Sequence, residues 1–386
     1  MAAGRAIVAG SVAQRPGNGG HTWVFLQYLL GLRRLGWDVL LLDRLEPDMC
    51  VDAQGRPAAL DESANLAYFT DVLERFGLGG SWALLVDGGT RALGRTREEV
   101  LTTVSEAEVM LNVNGFITDP ELLAASPLPV YLDIDPGFGQ MWCELELHDP
   151  FGGHRAFVTI GERIGQPDCA IPTCGLEWVT TPQPVLLDEW PASDGTGRAI
   201  TSVASWRGPF APIEFEGQTY GLRVHEFRRF AELPQRSSET FEVALDIDDA
   251  EVSDLELLRA TGWVLADPAV VARDPWAYRD YVQGSKAELM IAKNMYVRAR
   301  SGWMSDRSLC YLASGRPVVA QETGFSELYP TGAGLFAFSE PDEALSAIEM
   351  VAGDHARHSR AARELAQEHF DSDRVISRLL ENLGVR

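Results

Sequence analysis

With 386 residues, the chain is long for one domain and comfortable for two of about 180 residues each. Its 46% hydrophobic and 23% charged residues are ordinary for a soluble globular protein. The net charge of −23 argues against nucleic acid or an anionic membrane as partner, because an acidic surface repels both; a phosphate-bearing ligand would need a local basic pocket.

The N-terminus runs straight into a strand at residues 5–12, too short for an exported hydrophobic segment. A Gly-rich loop follows, Gln14 to His21, and then a helix from Thr22 to Leu35 with Val24, Tyr28, Leu32 and Leu35 on one stripe. Gly36 ends it, and residues 37–43 read as a buried strand. This βαβ opening predicts a parallel sheet. Strands at 82–86, 109–113, 130–134 and 156–160 continue it, between helices at 62–76, 95–105 and 118–126. Five prolines between 167 and 191 mark a change of texture.

From Arg198 a second α/β series begins. Strands are expected at 198–205, 241–247 and 262–266, and helices at 223–233 and 251–260. Lys286, Glu288, Lys293 and Asn294 lie in a segment that suits a solvated helix face. The stretch Arg298–Pro330 then reads as a Gly turn, a helix from Ser305, a stop at Ser314-Gly315-Arg316-Pro317, a buried strand Val318-Val319-Ala320, and a polar loop. Residues 341–370 are helical, and Asp371 begins a last helix to Leu383. No apolar run approaches ~18 residues, so no membrane span is expected. Cys50, Cys143, Cys169, Cys174 and Cys310 form no metal-ligand spacing; their odd, scattered count suggests reduced thiols in a cytoplasm.

The Arg298–Pro330 stretch has the parts a nucleoside diphosphate needs. A helix start offers free N–H groups and a positive dipole end, with Ser305 or Asp306 as cap. Arg300 and Arg307 add charge-assisted donors. Glu322 and Thr323 follow the strand at its carboxyl end, where open sheets bind ligands. Gly302-Trp303, Ala313-Ser314-Gly315-Arg316-Pro317-Val318-Val319 and Glu322-Thr323-Gly324 resemble the donor-binding region of GT-B glycosyltransferases. The likeness is fairly specific over about 35 residues, and the element order suits it throughout.

The resemblance implies two tandem Rossmann-like domains facing a cleft. Residues 1–180 would hold the acceptor, 181–197 link, and 198–370 hold a nucleotide sugar of UDP or TDP type; residues 371–386 would form a closing helix that crosses back. It implies sugar transfer to a small-molecule or glycan hydroxyl, without metal or other cofactor. Gly302, Ser305, Asp306, Arg307, Glu322, Thr323 and Gly324 are the implied donor contacts, with Arg300, Lys293 and Arg207. The sequence departs from the family where a helix Glu holds the ribose, since Cys310 or Leu309 stands there. The paired glutamates of the retaining branch are absent, with Ser301 at the first place, which points to inversion.

His21 is the candidate base, as imidazole titrates near neutrality without large tuning. In similar inverting enzymes a histidine of this loop deprotonates the acceptor, usually oriented by a carboxylate; Asp119 and Asp135 are the choices here. Gly19, Gly20, Asn114 and Trp142 are acceptor-side candidates, Trp142 as a stacking surface in an aromatic loop with Phe138 and Met141. Asp133-Ile134-Asp135 could chelate on one strand face, but a strand ending in acids is common. The first loop lacks the spacing of a dinucleotide fingerprint, so NAD fits less well. The rival readings are a nucleotide-sugar epimerase or hydrolase and an inactive nucleotide-sugar-binding protein.

Overall fold

The computed structural model describes residues 4–208 and 210–385. In the first half lie β1 (Arg5–Gly10), β2 (Asp38–Arg44), β3 (Trp82–Val86), β4 (Arg91–Leu93), β5 (Val109–Val113), β6 (Pro129–Asp133), β7 (Ala156–Thr159) and β8 (Trp178–Thr180). They form one sheet in the order β4-β3-β2-β1-β5-β6-β7-β8, parallel except at β3–β4. In the second half are β9 (Ile200–Ser205), β10 (Ile213–Phe215), β11 (Gln218–Tyr220), β12 (Phe241–Asp246), β13 (Val264–Ala266), β14 (Ala287–Met290), β15 (Val318–Gln321) and β16 (Leu335–Phe338). Here β10 and β11 make a hairpin, and the rest form a parallel sheet in the order β13-β12-β9-β14-β15-β16. Burial on both faces explains why the strands read as apolar runs.

The helix Gly19–Arg34 joins the halves. Asn18 caps it by accepting from His21 N, and Arg33 and Arg34 close its last turn, where positive charge suits the dipole. Twelve of its sixteen residues are buried, because it packs on its own sheet and also against the helices Pro275–Gln283 and Ser372–Asn382. A Cβ at Gly31 would overlap the Ile376 side chain, so glycine there sets how closely the last helix approaches.

Two expectations change. Lys286 and Glu288 lie on β14 or at its start, not on a solvated helix face. Their charges are tolerated because Lys286 pairs with Glu239, and the fully buried Glu288 pairs with Arg307 at 2.5 Å. The aromatic loop after Asp135 is a helix, Phe138–Glu144, whose Trp142 packs edge-on against Phe210 of the second half, ring centroids 4.9 Å apart.

Candidate active site

Each sheet reverses its strand order once on either side of an inner strand, at β1 in the first and at β9 in the second. Open α/β sheets leave a crevice at the carboxyl ends of strands at such points. The two crevices share one cavity of about 560 Å³. Arg15, Asn18, Gly20 and His21, after β1, form one wall. Ser205, Arg223, Asp246 and Lys293, at or after β9, β12 and β14, form the other with Asp306 and Arg307. A smaller cavity of about 310 Å³ shares Arg15, Ser205 and Asp246 and reaches Arg207.

Arg223 is a buried cation in the wall of this cavity. It is 9% exposed, and no carboxylate among the described residues pairs with it. Its Nε donates to the Ile291 carbonyl at 3.0 Å and its Nη1 to the Ser205 carbonyl at 3.3 Å, while Nη2 has no partner among the described residues. Burial, reinforced by nearby Arg307, pulls its pKa down to about 10. A buried cation held only by carbonyls is costly, and an anion in the cavity would offset that cost. Sequence reasoning missed it. The available signal was an arginine set between Leu222 and Val224, where the helix Arg223–Phe227 starts.

His21 is half-buried on the opposite wall. Its Nε2 lies 3.2 Å from the Ser11 carbonyl and 3.1 Å from the Ser11 hydroxyl. A carbonyl only accepts, so the proton sits on Nε2 and the Nδ1 lone pair is free. Burial lowers the His21 pKa to about 4, opposed by the Ser11 bond and aided by Arg15. The imidazole is therefore neutral at pH 7.

Among the described residues no carboxylate bonds to His21. Asp119 caps the helix Pro120–Ala125 and pairs with Arg97 at 2.8 Å, bordering a different cavity. Asp135 is bound by Lys293 at 2.6 Å and by the Tyr296 hydroxyl, a bridge between the halves. Both are corrected as orienting groups: each is committed elsewhere, and the Ser11 main chain does the orienting. Asp133 accepts from Gln140 and Thr159 while Asp135 faces Lys293, so the two acids do not converge on one ligand.

The remaining candidates divide. Asp306 lines the cavity, and burial raises its pKa. Arg307 lines it too, but its Nε holds Glu288 and its Nη1 the Val203 carbonyl, both at 2.5 Å. Burial works against its charge, and Glu288 more than offsets that, so its pKa is raised. Ser305 precedes the helix Asp306–Ala313 without a side-chain capping bond. Arg207 pairs with Glu251 at the edge of the smaller cavity. Gly20 lines the cavity, whereas Gly19 donates to the Ala272 carbonyl at 2.7 Å and packs on Asp274. Asn114 accepts from Ile134 N at 2.9 Å, away from the cavity, and Trp142 likewise does not line it.

Arg300, Gly302, Glu322, Thr323 and Gly324 lie outside the cavity lining. Arg163 and Arg300 each bind both Asp168 and Glu327, a closed ring of four charges across the halves. The Arg163 stem runs past Gly302 and Gly324, where any Cβ would overlap it. Thr323 is fully buried and donates to the Trp303 carbonyl at 2.7 Å, and Glu322 accepts from Gly324 N. In this arrangement Arg300, Gly302 and Gly324 meet the first half at the junction, while Glu322 and Thr323 are bonded within the second.

Solved structures of the same architecture cover nearly the whole chain. An alpha-glucosyltransferase with UDP-glucose and abasic DNA matches at TM-score 0.57 and 10% identity, over 98% of both chains. Anabaena HepE with UDP and glucose matches at TM-score 0.58 and 13% identity, over 99% of both. The chain has the GT-B fold. Sucrose-phosphate synthase from Thermosynechococcus elongatus matches at TM-score 0.51 and 10% identity, over 98% of this chain and 99% of that one. No protein-family model matches, and no curated protein matches in sequence. Because a GT-B structure binds DNA, the exclusion of nucleic acid on net charge is withdrawn: charge summed over 386 residues does not describe a local surface. Among the described residues no helix is long and apolar enough to cross a membrane, and no group of three or more His, Cys, Asp or Glu is placed to hold a metal ion.

Proposed function

We propose that this GT-B chain is a glycosyltransferase that moves a sugar from a nucleoside diphosphate donor, of UDP or TDP type, to a hydroxyl of a small-molecule or glycan acceptor. The observation that carries the reading is the buried guanidinium of Arg223, paired with no carboxylate among the described residues, facing His21 across one cavity at both switch points. The solved structures of this fold that hold UDP or UDP-glucose support it.

In this reading the diphosphate takes the open Nη2 of Arg223, and the ribose lies toward Asp306. The acceptor oxygen attacks the anomeric carbon as the bond to the diphosphate breaks. Its proton passes to Nδ1 of neutral His21, and Arg223 stabilises the charge on the departing diphosphate. One displacement inverts the anomeric centre. Residues 1–180 act as the acceptor half and 198–370 as the donor half, with 181–197 as linker and 371–386 as closing helix. The test is NMR of turnover with UDP-glucose and with TDP-glucose: nucleotide release and a product of inverted configuration are expected. Retention would remove the single-displacement role of His21. Release without any transfer product would favour a hydrolase.

A further inference from the structure

Apart from the cleft, a hollow of about 660 Å³ lies on the first sheet, within the size range of ligand sites. It lies over the carboxyl ends of β2 and β3 and the loop after β5. Arg44, the last residue of β2, is poorly matched there. Its nearest carboxylate is Glu46 at 4.0 Å, its one side-chain bond is a 3.3 Å contact with Thr118, and its Nε has no acceptor. Arg97 reaches in from a helix start; Nη2 is held by Asp119 and Glu121, but Nη1 has no acceptor.

We propose that this hollow binds the saccharide portion of the acceptor. Three features select that chemistry. Glu46, Asp119 and Glu121 outnumber the two arginines, so a free anion would meet net negative charge. No aromatic side chain lines the hollow, so a planar aglycone finds no stacking face. A sugar hydroxyl both donates and accepts, and fits guanidinium forks and carboxylates standing side by side. Gly88 and Gly89 add bare backbone to the lining, with φ of 66° and 82°, and a Cβ on Gly89 would stand 3.1 Å from Asp119 Oδ2.

Gln14, in the loop leading to His21, donates to the Arg44 carbonyl at 2.8 Å. A saccharide in the hollow thus lies on the same sheet edge as the loop that carries the base, and its end hydroxyl is the group transferred to. The assignment rests on the glycosyltransferase reading, yet it is tested without turnover. Tagged full-length protein is applied to a microbial glycan array, and UDP affinity is measured by calorimetry on the same samples. Wild type is expected to bind a set of oligosaccharides, with affinity falling about ten-fold or more in Arg44→Met while UDP affinity stays within about two-fold. Glu46→Gln, which keeps the bond from Gly88 N, is expected to weaken the same oligosaccharides and guards against misfolding of the first variant. An empty array, binding unchanged in both variants, or displacement of the glycan by phosphate overturns the assignment. Glycan binding without UDP binding would overturn the donor reading instead and leave the hollow a saccharide site.

Discussion

At the scale of single residues, the buried Arg223 and the half-buried His21 are both ionisable groups drawn out of water, resolved in opposite ways. Arg223 stays charged because burial lowers its high pKa only to about 10, whereas His21 gives up its proton. With a His21 pKa of about 4, the acid limb of kcat/KM should fall well below the usual histidine range, leaving activity flat from about pH 6 to 8. His21→Ala should cut kcat by about 10²–10⁴ without weakening UDP. The shift also affects stability. Between pH 4 and 6.5 the unfolded imidazole binds a proton that the native one refuses, so this residue makes stability rise with pH across that window. Asp43, whose pKa burial raises to about 7, acts in the opposite sense, so the His21 part is read by difference. The urea midpoint of wild type minus that of His21→Gln should drop on going from pH 7 to 4.5; an unchanged difference would contradict the assigned burial. His21 was legible in the sequence because a histidine at the end of a Gly-rich loop is conspicuous. Its orienting partner was not, since a main-chain carbonyl carries no residue identity.

At the scale of elements, the helix, stop and buried strand between Asp306 and Gln321 were legible from Gly and Pro punctuation and apolar spacing. What Gly302 and Gly324 accommodate was not, because Arg163 is about 140 residues or more away in sequence and only the fold brings it between them. Gly324→Ala forces a Cβ into the Arg163 stem at a φ of 98°, and should cost about 2–4 kcal/mol from overpacking and left-handed strain. Chemical denaturation would measure this, and hydrogen exchange should localise the loosening to residues 161–170. β14 was misread because Lys286 and Glu288 look solvent-facing until their partners are known. Arg307→Ala strands the Glu288 carboxylate in the core, and an expected loss of about 3–5 kcal/mol makes that variant a poor probe of ligand binding.

At the scale of the whole molecule, the alternation of strands and helices made two α/β units visible, and the resemblance supplied their facing arrangement. The short edge elements β4, β8 and the β10–β11 hairpin escaped notice, being three residues each. The helix Ser372–Asn382 ties the ends of the chain together: it buries Val375, Ile376, Leu379 and Leu380, and Asp373 pairs with Arg34 at 3.0 Å. Four such side chains contribute about 6–12 kcal/mol, as much as a whole domain's net stability. Removing residues 372–386 should therefore abolish a cooperative melt. The central claim, that the facing switch points bind a nucleoside diphosphate through Arg223, is tested most directly by calorimetric titration of UDP and TDP into wild type and Arg223→Met. The account predicts that wild type binds one of them and that affinity falls about ten-fold or more in the variant, with its melting temperature little changed by the loss of two carbonyl contacts. Equal affinity in both proteins, or binding of neither nucleotide, would contradict it.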